Sequence, residues 1–324
     1  MTTAGAPTPD SPATRTADTP VPGPAAPAPS EGAAPDTYLV IAGHLLVIGK
    51  QPDGDSLRFR PEHPELLAQL AHGDRVEPSA DGSVQLRLDG IDAPELHFAG
   101  HSQPLGDVSR DAFLRLVGFE DIALAPNHMT VTSATPPTIP AVILARMAEV
   151  HGRPVAFLFT GEAADTLRGD DDGTNGHRIT LDADLLATSA NMRMVASGDA
   201  YPLLYTSTSP VLRKEIAAVA GQARAAHLGV YAADATARFS VVDHKSVGPG
   251  GDLIYPKLFR RVTEWLREAD GAAFPAWLRA HVDRNDRVHV AGSRRSQALH
   301  TLLHQSGHTI TMTADPLTLV FVER

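Results

Sequence analysis

An arginine and two carboxylates lie close together in one short stretch of the sequence, residues 84–95, which reads VQLRLDGIDAPE. The charged side chains are Arg87, Asp92 and Glu95. Carboxylate oxygens bind hard cations, and a planar guanidinium grips phosphate oxygens through two parallel hydrogen bonds. The set is therefore suited to binding a cation together with a phosphate. A strand and turn with solvated charges would give the same pattern, so the stretch by itself leaves both interpretations open.

The local sequence predicts that these side chains stand on a rigid backbone. Apolar residues occupy alternate positions of residues 84–88, which is the period of a strand with one buried face. Arg87 is then on the polar face. Gly90 allows the chain to turn, and Pro94 stiffens the loop that follows.

Length and composition limit the classes of protein to which the stretch can belong. The chain has 324 residues, enough for one large domain or two ordinary ones. It contains no cysteine, which excludes disulfides, thiolate metal sites and a cysteine nucleophile. The formal net charge of -10 argues against broad attraction to nucleic acid or anionic membranes, so phosphate binding must depend on local arginines. No apolar run approaches the ~20 residues that span a bilayer, and no membrane partner is expected.

Three segments differ in composition. Residues 1–35 are rich in Ala, Pro, Thr, Ser and Gly, which predicts a disordered tail, and they lack the basic start and apolar core of a secretory signal. A cytoplasmic location is therefore expected. Residues 36–233 are predicted to form one domain, with insertions near 61–83 and 163–178. Residues 234–324 are predicted to form a small C-terminal α+β domain whose role the sequence does not indicate.

The first domain begins with short strand patterns. Residues 38–41 and 45–48 are predicted to form two strands, and residues 57–60 a third. The sequence DGDS at residues 53–56 is typical of a hairpin turn. Asp55 lies where this turn meets the strand.

Taken together, these motifs resemble the thermonuclease (staphylococcal nuclease-like) family. The resemblance covers about residues 38–231 and is carried by the DGDS turn, the run RLDGIDAPE and a later HGRP hairpin at residues 151–154. The family pattern has an aspartate in the turn and an arginine five residues before a second aspartate. A glutamate follows three residues later, and a second arginine lies in the Gly-Arg hairpin. All five are present here.

The resemblance implies a fold, an activity and a role for each matching residue. The fold is α+β, a five-stranded OB-like β-barrel with flanking helices. The activity is hydrolysis of phosphodiesters in DNA or RNA with Ca2+. Metal ligation is implied for Asp55, Asp92 and the backbone carbonyl of Ala93. Catalytic roles are implied for two phosphate-gripping arginines and an acid that orients or deprotonates water, namely Arg87, Arg153 and Glu95.

The chemistry of the residues agrees with these roles. Two carboxylates, a backbone carbonyl and waters would form a loose oxygen shell of the kind that calcium accepts, and no His or Cys set competes for zinc. Two arginines and the cation would neutralise charge that develops on the phosphate oxygens. Glu95 would contact the attacking water as a general base or as a positioning acceptor, and both roles stay open.

Some positions depart from the family pattern. Ala93 stands where the best-known member has threonine, and residues 149–151 replace a basic and aromatic set. The nucleotide-stacking tyrosines are replaced by Leu204 and Thr206, although Tyr205 lies beside them. Weak binding or short substrates are therefore expected.

The remaining patterns predict helices and strands around this core. For the first domain they are a helix at 105–118, strands at 140–149 and 154–160, a helix at 181–196, and a helix that Ser209 caps and that ends near 227. For the C-terminal domain they are helices at 256–268, 274–282 and 293–305, and strands at 287–291, 308–312 and 317–323.

Two further ligand patterns are weak. Residues 169–176 resemble part of a calcium loop but lack its bidentate glutamate, so a solvated tip is the better interpretation. His300, His304 and His308 could align as metal ligands if a helix carried them, but surface histidines are the preferred interpretation.

Two function hypotheses of different classes remain. The first is a calcium-dependent nuclease whose substrate is single-stranded DNA or RNA, with the C-terminal domain placing the substrate or a protein partner. The second is a binding module for oligonucleotides or proteins on the same fold, without catalysis. Hydrolysis of a small phosphate ester is a third possibility. A protein of this fold that had lost catalysis would have no reason to retain all five charged residues, so the nuclease is favoured.

Overall fold

The chain has a mixed α+β fold, described in this computed structural model over residues 1–2, 37–168, 174–268, 271–291 and 293–323. The strands up to residue 160 are β1 (Thr37–Leu46), β2 (Arg58–Pro61), β3 (Val84–Gln85), β4 (Arg87–Leu88), β5 (Ile91–Asp92), β6 (Glu120–Leu124), β7 (Val131–Thr135), β8 (Thr138–Ala148) and β9 (Pro154–Thr160). The later strands are β10 (Arg178–Thr180), β11 (Tyr201–Pro202), β12 (Leu204–Tyr205), β13 (Arg238–Ser240), β14 (Arg287–Val290), β15 (Gln297–Ala298), β16 (Leu303–Ser306), β17 (Thr309–Met312) and β18 (Leu319–Phe321).

The α-helices pack around the strands. They are α1 (Gly106–Val117), α2 (Glu162–Arg168), α3 (Ala183–Thr188), α4 (Ala190–Ser197), α5 (Pro210–Ala225), α6 (Pro256–Glu268) and α7 (Phe274–Ala280). None of the described helices is both long and apolar enough to cross a membrane.

The stretch that carries Arg87 closes the main sheet. This sheet has the strand order β3-β2-β1-β8-β9-β4, and β10 also pairs with β1. Only Leu86 separates β3 from β4, so one extended segment pairs with β2 on one side and, in parallel, with β9 on the other. The two edges of the sheet are thereby joined into a nearly closed, barrel-like sheet. Together with its flanking helices, this sheet is compatible with an OB-like barrel.

The first strand differs from its prediction. Residues 38–41 and 45–48 were predicted to be separate strands, whereas β1 runs unbroken through Gly43. A Cβ at Gly43 would lie 2.5 Å from the Phe59 ring and 2.4 Å from the Arg60 carbonyl oxygen. The glycine is therefore required by the close approach of β2, not by a turn.

Several helix predictions are confirmed, and one is wrong in detail. Helix α1 lies within the predicted range, and Ser209 caps α5 by accepting from Leu212 N at 3.3 Å. The helix predicted at 181–196 is split into α3 and α4. Ser189 lies between them in an extended conformation, and its hydroxyl caps α4 by accepting from Met192 N. The insertion at 61–83 contains a 3-10 helix over Pro64–Gln69.

In the C-terminal segment, the predicted helix at 293–305 is wrong. The described part of this range contains β15, a 3-10 helix over Leu299–Leu302, and β16. Strand β16 pairs antiparallel with β17, from Leu303 opposite Met312 to Ser306 opposite Thr309. This pairing overrides the weak helical preference of the segment. Helix α6, by contrast, has the predicted bounds.

The segment after residue 234 is built into the same structure as the barrel. Residues Pro35–Arg324 form one compact unit. Strand β12 pairs in parallel with β18, so one sheet crosses the predicted domain boundary at 233/234. Leu258 and Phe259 of α6 belong to the same buried core as the barrel strands. The predicted tail, residues 1–35, lies outside the described residues apart from its first two.

Candidate active site

The structure brings four of the predicted site residues together at the end of the barrel-closing segment. Asp55 precedes β2, Arg87 lies on β4, Asp92 ends β5 and Glu95 follows in the next loop. The amide of Leu88 donates to the carbonyl oxygen of Asp55 at 3.0 Å, which holds the turn against β4. The charges of Asp92, Arg87 and Glu95 all act on the Asp55 carboxyl, so these groups are neighbours in space.

Close backbone packing fixes the two aspartates relative to each other. A Cβ at Gly54 would lie 2.3 Å from the Ser109 hydroxyl and 2.6 Å from the Ala93 side chain. Ala93 is buried, with 3% of its surface exposed. Only glycine at position 54 therefore lets the DGDS turn reach the loop that carries Asp92.

Arg260, which the sequence did not predict as a site residue, also lies in the site. Arg260 of α6 donates to both oxygens of Asp92, from Nη1 to Oδ1 at 3.0 Å and from Nη2 to Oδ2 at 2.9 Å. Its Nη1 also donates to Glu95 Oε1. The Asp92 side chain is fully buried, with 0% exposed. The guanidinium, which comes from the C-terminal segment, therefore pairs with two of the predicted functional carboxylates, and its single positive charge offsets one of their two negative charges.

Buried hydrogen bonds attach α6 to the loop that carries Glu95. Gln103, which is 2% exposed, accepts from Glu95 N at 3.0 Å and donates to the Ile254 carbonyl at 2.7 Å. The Tyr255 hydroxyl donates to the Pro202 carbonyl at 2.8 Å, next to β5. Arg260 is therefore placed by a helix whose start is fixed to both sides of the site.

Burial and neighbouring charges raise the pKa of two further carboxyls at the site. Burial raises the pKa of Asp55 to about 6, and the neighbouring charge of Asp92 adds to the rise, although Arg87 opposes it. Burial, followed by the charges of Asp55 and Glu95, also raises the pKa of Asp53 well above its usual value. Burial alone would lower the pKa of Arg260, but Asp92 and Glu95 hold it well above its usual value. The arginine stays charged.

Arg87 is the cation of the site that is available to bind a ligand. Among the described residues, its half-buried guanidinium has no hydrogen bond and no ion pair within 4.0 Å. Burial lowers the pKa of Arg87, but the charges of Tyr205, Asp55 and Asp92 outweigh burial and raise this pKa above its usual value. A guanidinium that is partly desolvated and unpaired is suited to receive an anion with two acceptor oxygens.

Tyr205 lies near Arg87, and a lysine contacts Tyr205. The Lys257 ammonium donates to the Tyr205 hydroxyl at 3.2 Å and lies 4.6 Å from the centre of the Phe321 ring. Lys257 is buried, and its ammonium is 3.5 Å from Asp286 Oδ1. Helix α6 therefore supplies two of the site's basic groups, Lys257 and Arg260.

The structure places Arg153 in a different setting from the other predicted residues. It lies in the hairpin between β8 and β9, as predicted, and its Nε donates to Glu149 Oε1 at 3.0 Å. The charges that act most on Asp55 are those of Asp92, Arg87, Glu95 and Arg260. Arg153 is paired within its own hairpin in this structure, and its phosphate-gripping role stays a prediction.

The predicted calcium ligands do not fit the ion as they are placed here. Both oxygens of Asp92 and one oxygen of Glu95 already accept hydrogen bonds from Arg260. Within the described ranges, no group of three or more His, Asp or Glu side chains has the arrangement of a metal site. Calcium needs six to eight oxygens, so Arg260 would have to leave before Asp92 and Glu95 could join its shell.

Two weaker metal patterns have separate outcomes. Of the calcium-like loop at 169–176, residues 169–173 lie outside the described residues. His300 and His304 do not share a helix, because His304 lies on β16, where it is exposed. His300 instead contacts Asn285, with its Nδ1 2.7 Å from Asn285 Nδ2.

Sequence reasoning did not identify Lys257 and Arg260 as site residues. Together with Arg261 and Glu264 they form a charged stripe at helical spacing, and a charged stripe is typical of a solvated helix face. Only the packing of α6 against the barrel turns this stripe inward. The spacing by itself does not distinguish a helix face in contact with solvent from one that packs against the barrel.

Comparison with models of known protein families gives no match for this chain, and comparison with curated proteins gives none either. The resemblance to the thermonuclease family therefore rests on the residues quoted above and stays a prediction.

Proposed function

We propose that this protein hydrolyses phosphodiester bonds in DNA or RNA at the site formed by Asp55, Arg87, Asp92 and Glu95. The observation that carries the proposal is the half-buried guanidinium of Arg87, which has no ion pair among the described residues and lies near the Asp55 and Asp92 carboxylates. A phosphate that binds Arg87 would lie next to carboxylates that could position or deprotonate a water molecule. This is the arrangement that hydrolysis of a phosphate ester needs.

The side chains divide the chemistry between them. Arg87 would bind the non-bridging phosphate oxygens and neutralise the charge that grows on them in the transition state. Glu95 Oε1 is held by Arg260, and Glu95 Oε2 has no partner among the described residues. That oxygen would accept a hydrogen bond from the attacking water.

Single-stranded nucleic acid is the proposed substrate. Tyr205 lies beside Arg87, and base stacking on an aromatic ring contributes about 1–3 kcal/mol per base. The net charge of -10 opposes long polyanions, so short substrates or chain ends are favoured. The five-stranded OB-like barrel and the second-arginine role of Arg153 belong to the same proposal as predictions from the sequence. The calcium requirement predicted from the sequence is not part of it, because Arg260 already pairs with Asp92 and Glu95.

A binding module without catalysis is the second candidate, and one observation favours it. Arg260 pairs with both Asp92 and Glu95, so the acid that would handle water is already partly neutralised. A site of this kind would bind a phosphate through Arg87 and leave the bond intact.

One experiment separates the two candidates. Purified protein is incubated with labelled single-stranded DNA and RNA in calcium or in chelator, and both cleavage and binding are measured. Arg87→Gln removes the proposed phosphate ligand. Arg60→Gln is the matched control, because Arg60 is an exposed arginine on β2 of the same barrel. Cleavage that is lost in Arg87→Gln and kept in Arg60→Gln supports hydrolysis. Binding without cleavage, lost in Arg87→Gln, supports the binding module. Equal behaviour of the two variants would refute both.

A further inference from the structure

The ion pair between Arg260 and Asp92 joins two segments that the sequence assigns to different units. Asp92 belongs to the barrel loop, and Arg260 follows 168 residues later on α6. The arginine binds the carboxylate through both Nη atoms and reaches Glu95 with the same group. The guanidinium thus occupies the position where a cation shared by these two acids would lie.

We propose that Arg260 is the built-in cation of this site and occupies, at Asp92 and Glu95, the place that a divalent metal ion would otherwise take. The phosphate ester would then be bound without calcium, by Arg87 beside the two acids with which Arg260 pairs. This inference deepens the proposed function and rests on it for the nature of the substrate. Its core statement, that Arg260 excludes calcium, is independent of catalysis.

The surroundings of Arg260 identify it as a fixed part of the site. The preceding residues Ile254 and Tyr255 are hydrogen bonded to Gln103 and Pro202, and all four are buried. Next to Arg260, Phe259 is 1% exposed within the common core. A helix held in this way cannot withdraw without breaking buried contacts, so the arginine does not behave as a loose surface side chain.

Charge and coordination chemistry favour the guanidinium over a calcium ion here. Calcium would have to take the oxygens of Asp92 and Glu95 that now accept N–H groups, and it would leave Arg260 buried beside a double positive charge. A buried charge without a partner is strongly unfavourable. The planar fork of arginine matches a carboxylate in a way that a lysine ammonium does not.

The test measures calcium binding, not cleavage. Thermal unfolding and isothermal titration calorimetry are carried out with millimolar calcium or with chelator on the wild type, Arg260→Gln and Arg260→Lys. A ligand that binds only the native state raises the melting temperature. Arg261→Gln is the matched control, because Arg261 is the next residue of α6 and pairs with Asp286 and Glu264 instead.

The proposal expects the following results. Wild type, Arg261→Gln and Arg260→Lys show no calcium-dependent rise in melting temperature. Arg260→Gln unfolds at a lower temperature in chelator and gains a calcium-dependent rise, which Asp92→Asn in the same background removes. If Arg260→Gln does not fold in chelator, folding that calcium restores and magnesium does not is the equivalent result.

Two results would overturn the proposal. One is a calcium-dependent rise in the wild type that Asp92→Asn abolishes, because calcium would then bind in the presence of Arg260. The other is no calcium response in either the wild type or Arg260→Gln, because the acids would then not form a cation site. Neither outcome depends on substrate, so failure of this proposal and failure of the proposed hydrolysis are distinguishable.

Discussion

Arg260 holds the fully buried carboxylate of Asp92 through both of its terminal nitrogens, at 3.0 and 2.9 Å. Through this contact the C-terminal segment becomes part of a site whose other charged residues lie between positions 53 and 95. The same contact makes Asp92 a structural residue as well as a candidate functional one. Loss of activity after a change at Asp92 therefore has two possible causes, and stability must be measured beside it.

The Asp92–Arg260 pair should be costly to break from either side. Arg260→Ala and Asp92→Ala should each lower the free energy of unfolding by about 3–5 kcal/mol, because each leaves an unpaired buried charge. The double variant should lose less than the sum of the two. Urea denaturation of all four proteins gives the coupling energy. Additive losses would show that the pair is not coupled in solution.

Substitution of Arg87 should affect activity much more than stability. Arg87→Gln removes no hydrogen bond or ion pair among the described residues but loses the attraction of Arg87 to Asp55 and Asp92, so the free energy of unfolding should fall by about 1 kcal/mol, less than for the Asp92–Arg260 pair. Turnover of a single-stranded substrate should nevertheless fall by roughly 10²–10³-fold, because a donor to the transition state is lost. Initial rates and urea denaturation of the same preparation test both statements. Equal losses of stability and activity would indicate a structural role instead.

Gln103 should connect the stability of the fold with the position of Glu95. Gln103→Ala leaves the Glu95 amide and the Ile254 carbonyl without their partner, which should cost about 1–3 kcal/mol for a buried group. It should also lower kcat more than it raises KM, because Glu95 handles water and not substrate binding. The exposed Gln69 offers a control, and Gln69→Ala should change neither quantity. A pure KM effect would contradict the positioning role.

Gly54 should not tolerate a side chain. The Cβ of Gly54→Ala would meet Ser109 and Ala93 at 2.3 and 2.6 Å, so overpacking should cost about 1–3 kcal/mol and displace Asp55 from Asp92. Gly221→Ala is the matched control, because nothing lies within 4 Å of its Cβ and the residue is inside α5. That control should gain about 0.5–1 kcal/mol through its better helix propensity. The melting temperatures should therefore move in opposite directions.

Asp81 should contribute to stability against acid. Its carboxylate accepts from Lys50 Nζ, Ser83 Oγ and Ser83 N, and these hydrogen bonds hold its pKa well below the usual value. A lowered folded-state pKa means that the contribution is present above the unfolded pKa of about 4 and is lost as the pH falls toward the folded value. Asp81→Asn should therefore be less stable at neutral pH, with a smaller difference in acid. Asp74→Asn, at an exposed site, should follow the wild-type pH profile.

The sequence by itself determined the parts of the structure that depend on neighbouring residues. The alternation in residues 84–88, the Ser209 cap and the apolar face of 256–268 are local patterns, and the structure has a strand segment and two helices there. The spacing of Arg87, Asp92 and Glu95 likewise brings these residues together, because strand β4 and the turn after it have little freedom.

Only the tertiary structure decided what depends on distant partners. The extra length of β1 through Gly43 and the strand β16 in place of a helix both result from pairing with other strands. The inward turn of Arg260 results from α6 packing against the barrel, 168 residues from Asp92. A charged stripe at helical spacing has the same sequence pattern whether it faces water or buried carboxylates. Burial of an arginine is tolerated only where a carboxylate is positioned to pair with it. No local sequence pattern shows whether such a carboxylate lies opposite the helix.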